Sequence, residues 1–279
     1  MSAANVVGIV SGVIGNKVAP AFLIIAIVAA TSAVGLSAYR LSRHAMAQAH
    51  PSAPVAQVVV QAAPTAEPAP STVPSPTPTP APTPLPDSVF IKVPYTPQAP
   101  TGNWDAAHEE YCEAAAALMV GRYYQNQKYP GDRIPPADAD AAMGQIVAYE
   151  RQSWPGVLDL SLARVALVAQ HFYNLDATIG PATLAGVKRA IASGQPVLIP
   201  VMTHGGPGGA RIAAPYGSVS VYHVMVITGY DSQKLYTNDP GFVQGQNWAY
   251  TWDVLQLAMT AQESKMGQPS AMLTFRPRS

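Results

Sequence analysis

The chain's one cysteine, Cys112, stands where loop chemistry gives way to a helical pattern, in the stretch QAPTGNWDAAHEEYCEAAAALMVGRYY (residues 98–124). Ahead of it lie Pro100, Gly102, Asn103 and Asp105; behind it Ala115, Leu118, Met119, Arg122 and Tyr123 recur at helical spacing. Cys112 is therefore expected in the first turn of a helix, where unpaired N–H groups and the positive end of the helix dipole favour a thiolate over a thiol. A thiolate attacks carbonyl carbon. The competing reading is a small buried hydrophobe among alanines, and partners in suitable roles decide between the two.

Of six histidines, His223 is the one embedded in a strand pattern, VYHVMVIT (residues 221–228). Tyr222, Val224, Val226 and Thr228 would share one face, and His223, Met225 and Ile227 the other. A core histidine with one satisfied hydrogen bond is the alternative. The next strand pattern ends at Thr237 and runs into Asn238, Asp239, Pro240 and Gly241. If the two strands pair about a turn near Asp231, Asp239 returns to the neighbourhood of His223. A carboxylate there would fix the imidazole tautomer and stabilise the imidazolium that forms when histidine takes a thiol proton. The plain alternative for Asp239 is an Asp-Pro-Gly turn. Gln98, in the loop ahead of Cys112, carries an amide that could join the Cys112 backbone N–H in holding an oxyanion, each such donor being worth about 3 kcal/mol. A solvated loop glutamine is the other reading.

Two further constellations fail on chemistry. His108, Glu109 and Cys112 lack the second histidine of a zincin helix. The run from His204 to Gly208 resembles an oxyanion loop of serine hydrolases, but the chain has no G-x-S-x-G elbow. Residues 203–220 read instead as a flap between strands. Trp104, Tyr111 and Trp248 could line a groove, although core packing is the commoner fate of such side chains.

The elements that must position these groups divide into three regions. Residues 18–39 carry no charge and, as a helix, would be about 33 Å long, enough for a hydrocarbon core of about 30 Å. This is the expected membrane span of an N-terminal region, residues 1–44; an export signal cleaved near Ala45-Met46-Ala47 is the competing reading. Residues 45–86 form a Pro/Ala/Thr-rich linker, with proline at every second position from Pro74 to Pro86. Such a run is expected to be extended polyproline, a stalk suited to an exported domain, although the two arginines after the span weakly favour a cytoplasmic C-terminal side.

Residues 87–279 have the texture of one folded domain. Strands are predicted at residues 89–93, 197–202, 221–228, 234–237 and 272–275, and helices at 137–150, 161–172 and 181–193 in addition to the one at Cys112. Helices dominate the first half and strands the second, which is an α+β pattern. Sixteen basic and sixteen acidic side chains cancel, so no global field would recruit nucleic acid. A lone cysteine permits no intrachain disulfide and no cysteine-based zinc cluster. No cofactor or metal is expected.

The segments VPYTPQAPTGNW, EYCEAAAALM, GQPVLIPV, YHVMVITGYD and YTNDPG together resemble the peptidase family thirty-nine-like domain, related to the double-glycine leader peptidases among the papain-like cysteine peptidases. The resemblance covers most of residues 87–279. It implies a papain-like α+β fold, with Cys112 as nucleophile, His223 as general base and acid, Asp239 as orienting residue and Gln98 in the oxyanion hole. One departure is Glu113, where leader peptidases carry glycine after the cysteine. The expected activity is cleavage of a peptide or cell-wall peptide through an acyl-thioester by a bacterial, membrane-tethered, extracytoplasmic domain. The alternatives are a non-catalytic domain binding a peptide or wall fragment in the same cleft, and a cysteine-dependent acyltransferase.

Overall fold

The computed structural model of the chain describes residues 84–279, apart from Pro207 and Ala213. The expected span at 18–39 and the linker up to residue 83 lie outside the described residues. No helix among the described residues is long and apolar enough to cross a membrane.

The frame is a seven-stranded antiparallel sheet. Its strands are β1 (Val89–Phe90), β2 (Leu175–Pro181), β3 (Val197–Met202), β6 (Tyr222–Tyr230), β7 (Leu235–Asn238), β8 (Trp248–Tyr250) and β9 (Ala271–Pro277), in the order β2-β9-β3-β6-β7-β8. A separate two-stranded pair joins β4 (His204–Gly205) to β5 (Ala210–Arg211). β3 covers one edge of β6 from Tyr222 to Ile227, and β1 takes over that edge at Gly229 and Tyr230. Every residue of β6 is buried, because helices and loops cover both of its faces.

Five α-helices complete the described fold: α1 (Cys112–Tyr124), α2 (Pro136–Ser153), α3 (Leu162–Tyr173), α4 (Leu184–Ala192) and α5 (Trp252–Met266). α1 packs on β6 and is flanked by α2 and α3. Its four consecutive alanines, Ala114 to Ala117, make it thin enough to be buried all round from Cys112 to Gly121. Gly121 permits the closest approach, since a Cβ there would lie well inside van der Waals contact of the Tyr173 ring on α3. The α+β class and the packing of the cysteine helix on an antiparallel sheet agree with expectation.

Several stretches differ from it, among them the unpredicted strands β2 and β8. Pro181, predicted to open a helix, is the last residue of β2, paired with Ala271. β2 is an edge strand, where a missing N–H costs no ladder bond. The helix begins at Leu184, and the Thr183 side chain caps it by accepting from the Gly186 N–H. α5 was not predicted at all. Its buried face, Leu255, Ala258, Met259, Ala261 and Gln262, has helical spacing but includes alanine and glutamine, so the apolar signal is dilute.

Candidate active site

Cys112 is the first residue of α1, and its backbone N–H has no intrahelical acceptor by virtue of that position. The side chain is 4% exposed. Its S–H donates to Glu113 Oε2 at 2.9 Å, while Glu113 Oε1 accepts the Leu160 N–H at 2.7 Å. Burial pushes the thiol well above its ordinary range, and the Glu113 carboxyl adds to this, with Asp159 and Glu110. Burial and the neighbouring acids thus oppose the expected pull of the helix start toward the thiolate in this arrangement. The dipole of one helix contributes about 0.3–1 kcal/mol, less than the loss of water and the nearby negative charge remove.

His223 and Asp239 meet on the face predicted for them. β6 and β7 pair about the turn at Asp231, whose carboxylate accepts the Gln233 and Lys234 N–H groups at 2.7 Å. The register sets Val226 opposite Asn238, so Asp239 follows onto the side carrying Met225 and His223. His223 Nε2 lies 2.8 Å from Asp239 Oδ1, with His223 3% exposed and Asp239 0%. Burial would raise the Asp239 carboxyl, but the His223 charge and the bonds from His223, Tyr216 and the Gly241 N–H hold it below the usual carboxylate range. With Nε2 committed to the carboxylate, Nδ1 is the imidazole nitrogen left to take a proton.

Two tyrosines complete this group, neither singled out from sequence as a site residue. Tyr216, from a short 3-10 turn (Ala214–Tyr216) in the segment read as a flap, donates to Asp239 Oδ1 at 2.6 Å and stands 2.8 Å from His223 Nε2. Tyr250, on β8, donates to Asp239 Oδ2 at 3.0 Å. Burial and then the Asp239 charge push the Tyr216 phenol well up, so it remains a neutral donor. Gly241 makes room for it, because a Cβ there would overlap the Tyr216 hydroxyl. The only advance signal for Tyr216 was its place in a loop next to the His223 strand. Glu113 was visible only as a departure from the resembling family.

Gln98 spans two walls of the site. Its backbone N–H donates to Pro240 O at 2.8 Å, next to Asp239. Its side-chain Nε2 donates to His108 O at 2.8 Å and Glu109 O at 3.0 Å, just ahead of Cys112. Two carbonyl acceptors fix the amide orientation, because only the NH₂ end can face both. The remaining atom, Oε1, is buried without a partner. The N–H expected to be free for an oxyanion is thus occupied here. His108 is itself clamped between Asp105 Oδ1 at 2.8 Å and Asp140 Oδ1 at 2.9 Å, so the residue of the rejected zincin pattern orders the loop that feeds α1. Among the described residues, no group of three His, Cys, Asp or Glu side chains is placed to hold a metal. Of the four candidates, His223 and Asp239 touch directly. Gln98 ties the Cys112 loop to the Asp239 loop, and the Cys112 thiol bonds to Glu113 in place of the imidazole.

A cysteine at the start of a buried helix, packed on the strand whose imidazole is held by a carboxylate from the end of the next strand, is the frame of a papain-like domain. The sequence model of the Peptidase_C39 like family matches residues 90–267, and the chain belongs to that family, a family of cysteine peptidases. Among solved structures, the chain is similar to a C39-like peptidase from Bacillus anthracis, with 17% identity over 69% of this chain and 98% of that one and a TM-score of 0.43. It is also similar to Xylellain, a cysteine protease from Xylella fastidiosa, with 13% identity over 70% of this chain and 87% of that one and a TM-score of 0.34. No curated protein matches the chain.

Proposed function

We propose that the chain cleaves peptide bonds, in a peptide or cell-wall peptide, with Cys112 as nucleophile, His223 as base and acid, and Asp239 as the residue that orients the imidazole. The observation that carries this reading is the 2.8 Å bond between His223 Nε2 and Asp239 Oδ1, on the strand against which the Cys112 helix packs. His223 Nδ1 takes the thiol proton, the thiolate attacks the carbonyl carbon, and the proton then passes to the departing amine. Water, activated by the same imidazole, hydrolyses the thioester. The Cys112 N–H is one donor to the oxyanion. Gln98 supplies the second by exchanging one of its two carbonyl partners for the substrate oxygen, worth about 3 kcal/mol in the transition state.

One observation favours the rival reading of a non-catalytic cleft: the thiol is bonded to Glu113 and raised in pKa. The uncharged run at 18–39 and the proline-rich linker support a tethered, extracytoplasmic domain, and a topology reporter fused after residue 279 tests it. The direct test of activity is Cys112→Ala in the full chain, assayed on a peptide library and on wall fragments. Turnover should vanish while the chain stays folded, at a cost of about 1–3 kcal/mol from the buried Glu113 oxygen that loses its S–H donor. Turnover retained in that variant would overturn the assignment.

A further inference from the structure

Glu113 is not used by the reaction above, yet it holds the nucleophile. It is the second residue of α1, 2% exposed, and both of its oxygens are occupied. Oε1 takes the Leu160 N–H at 2.7 Å from the segment ahead of α3; Oε2 takes the Cys112 S–H at 2.9 Å. A backbone donor therefore fixes the carboxyl, and the carboxyl fixes the thiol. The other titratable groups that interact with the pair are Asp159, Glu110, Glu150 on α2, Tyr216 in the turn beside His223, and Tyr222 on β6, whose hydroxyl donates to Leu160 O at 2.7 Å. These are acids and phenols.

We propose that Glu113 is a positioning residue that parks the Cys112 thiol in its protonated form, bonded to the carboxylate instead of the imidazole, so that the nucleophile must be released before it can react. The proposal rests on Cys112 being the nucleophile. Release turns the thiol from Glu113 toward the imidazole. The S–H leaves Glu113 Oε2 and meets His223 Nδ1, the proton passes to Nδ1, and sulfur keeps the electron pair, giving a thiolate–imidazolium pair. The carboxylate keeps the Leu160 N–H but loses its other donor in a buried place, which holds the equilibrium toward the parked form. Burial and the neighbouring acids push the Glu113 carboxyl well above the ordinary carboxylate range, and the bonds from the Cys112 S–H and the Leu160 N–H oppose this by favouring the charged form that parks the thiol. A proton taken up by Glu113 removes the need for the S–H and turns the carboxyl into a donor to sulfur. Acid on the carboxyl, or substrate displacing the S–H, thus frees the thiol.

The test is the pH dependence of iodoacetamide alkylation in the full chain, where Cys112 is the one cysteine, beside Glu113→Gln. Glutamine keeps an oxygen for the Leu160 N–H and turns an NH₂ toward sulfur, so an acceptor of S–H becomes a donor to S⁻. Alkylation of the variant at neutral pH should be at least roughly tenfold faster than wild type, equivalent to one unit in the thiol, with a lower midpoint. A rate equal to or slower than wild type, in a variant with native near-ultraviolet dichroism, overturns the proposal. If the variant does not fold, the S–H infrared stretch of the wild-type chain decides. A band lowered by bonding to carboxylate supports parking, and an unshifted band refutes it. A Glu113→Gln variant that responds as expected in a chain that cleaves no peptide would leave the parking intact and remove the peptidase reading; cleavage with unresponsive alkylation would do the reverse.

Discussion

Asp239 is buried completely, and its two oxygens serve four donors: Tyr216 OH, His223 Nε2 and the Gly241 N–H on Oδ1, and Tyr250 OH on Oδ2. Asp239→Ala removes the acceptor from all four. The Tyr216 hydroxyl can pair instead with His223 Nε2, 2.8 Å away, which leaves the remaining donors short of this acceptor at about 1–3 kcal/mol each. The variant should therefore lose about 3–6 kcal/mol, a large part of the 5–15 kcal/mol typical of a domain. Asp239→Asn keeps one oxygen for Tyr216, Gly241 and His223, and the Tyr250 hydroxyl can reverse to accept from the new NH₂, so its loss should be only about 1–2 kcal/mol. Urea unfolding followed by tryptophan fluorescence measures both. The pH dependence has a fixed sign. The folded carboxyl is held below its ordinary value, so its contribution is present above about pH 3.9 and is lost as pH falls through the folded value. The wild-type advantage over Asn should thus shrink in acid. An alanine variant within about 1 kcal/mol of wild type, or an asparagine variant as costly as alanine, would refute the reasoning.

Gly121→Ala places a methyl group well inside van der Waals contact of the Tyr173 ring atoms and forces α1 and α3 apart. The overpacking, about 1–3 kcal/mol, exceeds the gain in helix propensity, so Tm should drop by roughly 2–8 °C in a calorimetric scan; an unchanged or higher Tm would contradict the close approach. For His108, burial lowers the pKa, but the bonds and charges of Asp105 and Asp140 prevail and raise it above its usual value. Its clamp then stabilises the chain fully below about pH 6.5 and is lost as pH rises through the folded value. Comparing urea midpoints near pH 5.5 and 8.5, the wild-type chain should show this decline and His108→Gln should lack it; parallel curves would show that the clamp does not couple to folding.

The His223–Asp239 pair was legible because two local rules determine it. Strand alternation sets the face of His223, and the turn at Asp231 sets the register that returns Asp239 to it. Cys112 at the start of a helix was legible for a similar reason, the switch from turn residues to helical spacing. Its protonation was not. That depends on how deeply α1 is buried between the sheet and its flanking helices, and on a carboxyl whose orientation is fixed by the Leu160 N–H, 47 positions away. Gln98 likewise read as a free loop amide, because sequence cannot reveal that two carbonyls of the following turn lie within its reach. Tyr216 and Tyr250 come from a loop and a three-residue strand that only the closed sheet brings to one carboxylate. Pro181 misled because proline suits both a first helical turn and a sheet edge.

β6 is buried at every position and laddered to β3 and β1 along one edge and, from Val226 to Tyr230, to β7 along the other. Its amide hydrogens are released to solvent only when those ladders open together, so their exchange tracks global unfolding. The turn that carries Tyr216 belongs to no strand of that sheet, so it can open without breaking those ladders. The imidazole therefore inherits the thermodynamic depth of the whole domain, whereas the phenol beside it has only that of a loop. A sub-global opening withdraws one donor from Asp239 and leaves the base standing in its place.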